Sequence, residues 1–445
     1  MDFSLSYKNY YIKLFSLLIN NLDIIDNMDF NYLKKIRKLY ETSINLLEVI
    51  FILGNNTCDM DSALSAYMLS IGKNIQKGTI TLDKKGNPSL NYNSRVVYIP
   101  VLNIKRGTLP YRLEVKYAFD HCGLDENDFW YISDEIFNPY KLFQHKISSK
   151  NVKTSLILVD HTILIEEQGY LSGYVTGIYD HHLLSFYNGQ YKNLRKLNIL
   201  YPVGSCTTLI LNEFFIDDDF PVKILSPLLA VSAILLDTKK FKDVFYRNRW
   251  VDLDKKVYKI IKKVVKKEDK KIKMKQYYSK MKELKHDIEK NLNLGFGALL
   301  SKDQKYFYWN NGQKAVWSSL HIPYEEIRKR FGDKSVINHY LEFYKWKANS
   351  YEERKKTYFI TNSPLGDKQR LFTIFNPIKF PLNKEYIKNE LMKHSAKYFY
   401  SVDVNQVFGE NNMPEGEICY IVVDHIYSRK SFEPILKYFF SNIKN

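Results

Sequence analysis

A chain of 445 residues with 45% hydrophobic content is too long for one core and can fill two or three. Its formal net charge of +17 points to an anionic partner, whether nucleic acid, an acidic membrane surface or a polyphosphate-like substrate; the plainer alternative is a solvated lysine-rich surface. Four cysteines (Cys58, Cys122, Cys206 and Cys419) with no C-x-x-C pair exclude a disulfide scaffold and favour a reducing, cytoplasmic setting. No apolar run approaches the roughly 18 to 20 residues of a membrane span, and the apolar stretch 11–19 lacks a small-residue cleavage site, so neither a span nor a signal peptide is expected.

Residues 1–47 carry helical periodicity, through Leu14, Leu17, Leu18 and Leu22, then Tyr32, Ile36, Tyr40, Ile44 and Leu47. The apolar run 49–53 reads as a buried parallel strand, broken by Gly54 and Asn55. Small residues from Ser62 to Ala66 then open a helix, which places Asp59 and Asp61 at the strand's carboxyl end. After a polar turn at 84–88, a second strand is expected at 96–101 and a helix at 110–122. Strand 155–160 ends on Asp160, followed by His161, and strand 175–179 ends on Asp180-His181-His182. An apolar helix at 226–238 carries Asp237 in its last turn, where the helix dipole disfavours negative charge. Ten lysines against four acids over 251–274 mark a basic amphipathic helix or linker. Beyond it, strands are expected at 306–309, 315–320, 357–361, 370–375 and 419–423, helices near 323–349 and 384–397, and a polar turn at 411–416.

Asp59, Asp61, Asp160, His181, His182 and Asp237 thus gather acids and imidazoles at strand and helix ends. Carboxylates with an imidazole and no thiolate suit Mg²⁺ or Mn²⁺ rather than structural zinc, and two such ions sharing a carboxylate would activate water for phosphoester or phosphoanhydride hydrolysis. The bland alternative is a set of scattered solubility residues, which strongly apolar strands immediately upstream argue against.

In that order, Gly54-Asn55-x-x-x-Asp59-x-Asp61-Ser62, Val159-Asp160-His161, Asp180-His181-His182, Val203-Gly204-Ser205-Cys206 and Leu235-Leu236-Asp237-Thr238 resemble the DHH phosphoesterase superfamily. They are most similar to its manganese- or magnesium-dependent exopolyphosphatases of the yeast cytosolic type, over residues 48–243. The segment from Asn103 through Arg106, Tyr111 and Arg112 to Phe119 matches as well. More loosely, the C-terminal half resembles the DHH-associated domain shared with family II inorganic pyrophosphatases, through Lys285-His286-Asp287-Ile288, the run 299–303 and Ser428-Arg429-Lys430; His286 stands where that domain more usually has Asn.

The resemblance implies an α/β fold, with a parallel-sheet DHH domain at 1–243, a basic helical linker at 244–275, a smaller mixed-sheet domain at 276–445 and the active site between them. It implies two Mg²⁺ or Mn²⁺ ions on Asp59, Asp61, Asp160, His181 and Asp237, with Asp160 bridging. His182 would face substrate, as hydrogen-bond donor or acid to the leaving group. Asn55, where family II pyrophosphatases have a metal-binding histidine, would shift preference toward Mg²⁺ or else serve as a turn residue. Lys285, Arg429, Lys430 and Arg370 would bind the substrate chain from across the cleft, with Arg106 and Arg112 as first-domain candidates. Ser205 would orient His181 or His182.

The implied activity is release of orthophosphate from the end of inorganic polyphosphate, with pyrophosphate hydrolysis or cyclic-nucleotide phosphodiesterase chemistry as the near rivals and no obligatory nucleic acid. A nuclease of the superfamily would need a Gly-Gly-Gly-His type motif, which the chain lacks. An inactive polyanion-binding scaffold is the reading from another class. Oligomeric state is left open.

Overall fold

The computed structural model describes residues 31–143, 152–182, 189–200, 202–215, 221–308, 312–332, 356–366, 368–376, 396–403 and 417–424, with single positions at 336, 338, 339, 342, 429 and 436. Helix α1 (Tyr32–Thr42) is capped by Asn31, whose side chain accepts from the Lys34 amide at 3.0 Å, and buries Tyr32, Leu33, Ile36, Leu39 and Tyr40. It stops before the stripe does: Ile44 and Leu47, expected on the same apolar face, are 69% and 47% exposed. The expected helices before it lie outside the described residues.

Strand β1 (Glu48–Leu53) leads into α2 (Met60–Gln76), and β2 (Ile80–Leu82) and β3 (Pro88–Leu90) form a small hairpin around the expected polar turn. Then follow β4 (Val96–Leu102), α3 (Leu113–His121), β5 (Trp130–Tyr131), β6 (Lys153–Val159), β7 (Val175–Asp180) and β8 (Lys196–Ile199). They pair, in parallel throughout, in the order β5-β4-β1-β6-β7-β8. Parallel strands covered on both faces read as unbroken apolar runs, and Val49 to Leu53 are all buried. From β1 the chain moves outward through β4 to β5, then returns to β6 on the other side of β1. Strand order therefore reverses between β1 and β6, which opens a crevice at their carboxyl ends.

Four helices follow: α4 (Cys206–Phe214), α5 (Pro227–Asp237), α6 (Asp252–Glu268) and α7 (Met274–His286). Ser226 caps α5 and Pro227 opens it, as its sequence suggests. Within the stretch expected as a linker, 244–275, α6 buries Val257, Ile261 and Val265 in the core of the parallel sheet; α7, most of which falls in the stretch expected as the second domain, buries Tyr277 and Met281 in that same core.

The second domain begins with α8 (Ile288–Leu292) and α9 (Phe296–Lys302). Its sheet contains β9 (Gln304–Tyr308), β10 (Lys314–Ser319), β11 (Thr357–Leu365), β12 (Gln369–Asn376), β13 (Ala396–Asp403) and β14 (Glu417–Asp424), in the order β13-β14-β12-β11-β10-β9, with α10 (Tyr324–Phe331) packed on it. Only the β10–β11 pair is parallel, so the sheet is mixed. Its separate core holds Phe296, Leu300, Val316, Ile327, Phe359 and Phe375. Most of the expected helix near 384–397 lies outside the described residues, as does the turn at 411–416, but Ala396 and Lys397 belong to strand β13; pairing with β14 overrides a helical reading there.

Candidate active site

The loop after β1 is drawn tightly onto α2. A side chain at Gly54 would bring its Cβ within 2.5 Å of the Ser62 hydroxyl and 2.9 Å of the Ser62 carbonyl, so glycine is required by close approach. Asp59 caps α2, accepting from the Ser62 amide at 3.1 Å. Two residues on, Asp61 is buried and docks on the N-terminus of α4: its carboxylate accepts from the Ser205 hydroxyl at 2.6 Å and from the Cys206 and Thr207 amides at 2.7 and 2.9 Å. The Ser205 hydroxyl, expected to orient an imidazole, thus donates to an acid instead. The loop it belongs to is braced from below, because Asp254 accepts from the Gly204 amide at 2.9 Å and from the Thr208 hydroxyl at 2.6 Å.

Asp160 sits past the end of β6 with a left-handed backbone (φ 61°), its amide donating to Tyr179 on β7 at 2.9 Å. One carboxylate oxygen, Oδ2, accepts from the Asn55 amide group at 2.6 Å; the other, Oδ1, lies 3.2 Å from His181 Nε2. Asn55 therefore does more than shape a turn. Its own oxygen accepts from the Thr57 amide and hydroxyl, which fixes the orientation of the amide that meets Asp160.

His181 Nδ1 lies 2.8 Å from the Val203 carbonyl. A carbonyl only accepts, so Nδ1 carries the hydrogen and Nε2 faces Asp160 Oδ1 and, at 3.6 Å, Asp61 Oδ2. Two acceptors facing each other call for either a shared proton or a cation between them. His182 is held differently: its Nδ1 donates to Asp180 Oδ1 at 2.7 Å, leaving Nε2 on the far edge of a ring that is 24% exposed. Asp180 is fully buried, and although burial opposes its charge, the two histidines and the His181 amide outweigh burial and hold its carboxyl far below the ordinary range. Asp180 was read only as part of a motif, without a role; the structure makes it the residue that orients His182.

Asp237 closes α5 where the sequence placed it, and its Oδ2 is buried without a hydrogen-bond partner among the described residues, like Asp180 Oδ2. Burial first, then neighbouring Asp61 and Asp59, push Asp237 up to about 7; burial and Asp61 push Asp160 up to about 8. Asp160, Asp180, His181 and His182 each place one potential ligand atom within 4.8 Å of the others. Orphaned buried oxygens, mutually repelling carboxylates and one imidazole nitrogen aimed at them fit a hard divalent cation.

Facing the acids is a cationic wall. Lys285 projects from the end of α7, a helix packed in the first core rather than across the cleft, and lies 3.9 Å from buried Glu114 on α3. Burial opposes its charge, but Glu114, Asp59, Asp237 and Asp303 together raise its pKa. Lys239 lies nearby, pushed down to about 7 by burial and then by Lys285 and Arg249, while Asp237 pulls the other way. Arg370 is charged against its surroundings: burial, Arg249 and Arg429 all lower its pKa, and its Nε has no hydrogen-bond partner among the described residues. Arg429 donates to Asp303 Oδ1 at 2.8 Å and to the Asp303 and Trp317 carbonyls, and His321 lies 3.2 Å from the other oxygen of Asp303. His286 packs edge-to-face on His321 and is pushed down to about 3, so it is neutral near pH 7. Lys430 lies outside the described residues.

Two of the first-domain arginines separate. Arg112 is buried and donates to the Thr57 and Lys302 carbonyls, tying the β1 loop to the second domain. Arg106 pairs with Asp134 at 2.8 Å over the Tyr131 ring, on the surface. The sequence carries no spacing signal for the isolated Lys239 and Arg249, while Lys302 and Glu114 lie inside the matched runs 299–303 and 111–119 without a role assigned to them. Further cross-contacts join the domains, with Asn56 donating to the Gln304 carbonyl at 2.8 Å and Lys314 pairing with Glu166 at 2.7 Å.

No family model matches the chain. It is similar to the exopolyphosphatase PRUNE1 of Homo sapiens, 25% identical over 285 residues that cover 63% of this chain and 54% of that protein. PRUNE1 of Rattus norvegicus is 24% identical over 303 residues, 67% of this chain and 58% of that one. The chain therefore spans somewhat more than half the length of these curated relatives. Among solved structures, a Methanococcus jannaschii protein named for the family II inorganic pyrophosphatases aligns over 87% of this chain and 98% of its own, with 16% identity and a TM-score of 0.49. No helix among the described residues is long and apolar enough to cross a membrane. The chain's motifs after β1, β6 and β7 thus gather at the carboxyl edge of one parallel sheet, in a chain similar to the PRUNE1 exopolyphosphatases over about two thirds of its length.

Proposed function

We propose that the protein is a metal-dependent exopolyphosphatase, releasing orthophosphate from the end of an inorganic polyphosphate chain held between the acid cluster and the cationic wall. The observation that carries this reading is His181 Nε2 aimed at the oxygens of Asp160 and Asp61, with Lys285 and Arg249 close enough to feel the Asp237 carboxylate. Asp59, Asp61, Asp160, His181 and Asp237 would hold two ions, Mg²⁺ or Mn²⁺, which when bound lower the pKa of a water and screen the phosphoryl oxygens.

The chain's own groups do the rest. Asp61 is fixed by the Ser205, Cys206 and Thr207 donors, so its geometry is set before any ligand arrives. Asn55 holds Oδ2 of Asp160 and orients the carboxylate toward His181. Ionised Asp180 locks the His182 ring, so Nε2 is the atom that meets a phosphoryl oxygen, donating a hydrogen bond or delivering a proton to the departing chain. Lys285, Lys239, Arg249 and Arg370 neutralise the substrate; Arg429 contributes the donors that Asp303 leaves over, and Lys430 joins them by resemblance alone. The free buried thiols of Cys58, Cys122 and Cys206 support a reducing, cytoplasmic setting.

The test is phosphate release from defined-length polyphosphate, pyrophosphate and a dinucleotide, each with Mg²⁺ and with Mn²⁺. Orthophosphate from the first turnover on polyphosphate is expected. Faster turnover of pyrophosphate or the dinucleotide would move the assignment to another phosphohydrolase, and no turnover of any substrate would leave a polyanion-binding scaffold.

A further inference from the structure

The lysines of α6 fall into two sets. Lys255 and Lys262 are half-buried and lie over the rings of Trp250 and Tyr258, at 5.2 and 5.5 Å from the ring centres. Lys256, Lys259, Lys263, Lys266 and Lys267 are exposed. They recur at three- and four-residue steps, so on a helix of 3.6 residues per turn they form one stripe, opposite the face that buries Val257, Ile261 and Val265 against α4 and α5. At about 1.5 Å per residue the stripe is roughly 16 Å long.

Among the described residues no carboxylate pairs with any of the five, and α6 carries no acid between Asp254 and Glu268. Lysines stacked at such spacings repel one another and disfavour the helix, a repulsion that a bound anion would remove. The first turn of α6 touches the loop that holds the acid cluster, while the lysines lie on the helix's other face. Asp254, in the first turn of α6, accepts from the Gly204 amide and the Thr208 hydroxyl, in the same loop that presents Ser205, Cys206 and Thr207 to Asp61. Just upstream, half-buried Arg249 feels the Asp237 carboxylate, and its carbonyl lies 2.3 Å from where a Cβ at Gly204 would stand.

We propose that this stripe is a distal binding track for a linear polyanion, the part of a polyphosphate chain that extends beyond the acid cluster. The inference rests on the exopolyphosphatase reading. Nucleic acid fits less well, because single-strand grooves interleave cations with aromatic stacking platforms and no exposed position from 256 to 267 is aromatic. A membrane surface fits less well too, since the apolar face of α6 is already buried in the core. Pyrophosphate is too short to reach along the stripe.

The test replaces all five by glutamine (Lys256→Gln, Lys259→Gln, Lys263→Gln, Lys266→Gln and Lys267→Gln) in the full chain, which keeps helix propensity while removing charge. Equilibrium binding and KM are then read for long-chain polyphosphate and for tripolyphosphate at several salt concentrations. Affinity for the long chain should fall about tenfold or more and lose much of its salt dependence, while tripolyphosphate binding stays unchanged. The pair Lys259→Gln with Lys263→Gln, expected to give a smaller loss in the same direction, covers the case in which the fivefold variant does not fold. Equal losses for both chain lengths, or no loss for the long chain, would overturn the track; so would tighter binding of single-stranded RNA or phosphatidylserine vesicles than of polyphosphate at the stripe. If the wild type binds long polyphosphate through these lysines yet releases no phosphate, the functional reading fails and the track stands.

Discussion

The two sides of the cleft carry opposite charge and are built by opposite means. On the acid side, Asp59, Asp61, Asp160 and the Asp180-His181-His182 run sit within a few residues of apolar strand ends, and parallel pairing brings them to one edge. On the cationic side, Lys239, Arg249, Lys285, Arg370 and Arg429 come from distant parts of the chain, and among the described residues Lys285 pairs with buried Glu114 and Arg429 with half-buried Asp303. Backbone-borne geometry makes the first side robust. The second depends on ion pairs, so its function and its stability are coupled.

The largest expected effect separates chemistry from folding on the acid side. Asp160→Asn keeps an acceptor for Asn55 and tolerates the left-handed backbone at that position, yet removes the charge that faces His181. Turnover on polyphosphate should fall about a thousandfold with the melting temperature in chelator unchanged or raised. Near wild-type turnover in the metal-loaded variant would remove Asp160 from the reaction.

Glu114→Gln probes the other side. It strands half-buried Lys285 and buried Lys302 without their counter-charge, which should destabilise the fold by about 3 kcal/mol in denaturant titrations and raise KM for polyphosphate. Loss of turnover with unchanged stability would show instead that Glu114 touches the reaction.

Removing the metal exposes the contrast as pH dependence. Asp160 and Asp237, pushed up to about 8 and 7, hold protons in the folded metal-free protein that the unfolded chain releases near pH 4. The folded state binds more protons across that window, so its stability should fall as pH rises from about 4 to 8. Saturating Mg²⁺ takes the place of those protons and should flatten the slope in melting curves. Parallel curves with and without the ion would mean that these carboxylates bind none.

A smaller effect of opposite sign is expected at Arg370, where burial and two neighbouring arginines already weigh against the charge. Arg370→Met should raise stability by about 1 kcal/mol while increasing KM. A destabilised variant with unaltered KM would make Arg370 a structural residue.

Periodicity located β1, β4, β6 and β7, because strands buried on both faces must be apolar throughout and end where charge begins. Short or partly exposed strands carry little of that signal: β8 and the β2–β3 hairpin passed unnoticed, and α1 stopped short of a stripe that runs on to Leu47.

By itself the sequence determined which acids stand at strand ends and that the chain carries an excess of positive charge. Only the tertiary structure decided that Asp61 is held by the Ser205 loop, that Asn55 meets Asp160 Oδ2, that Asp180 orients His182, and which few of many lysines and arginines lie near these acids. The reason is physical. Strand ends are set by local hydrophobic pattern, whereas buried hydrogen bonds and ion pairs join residues such as Asp61 and Ser205, or Glu114 and Lys285, whose separation along the chain leaves no periodic trace.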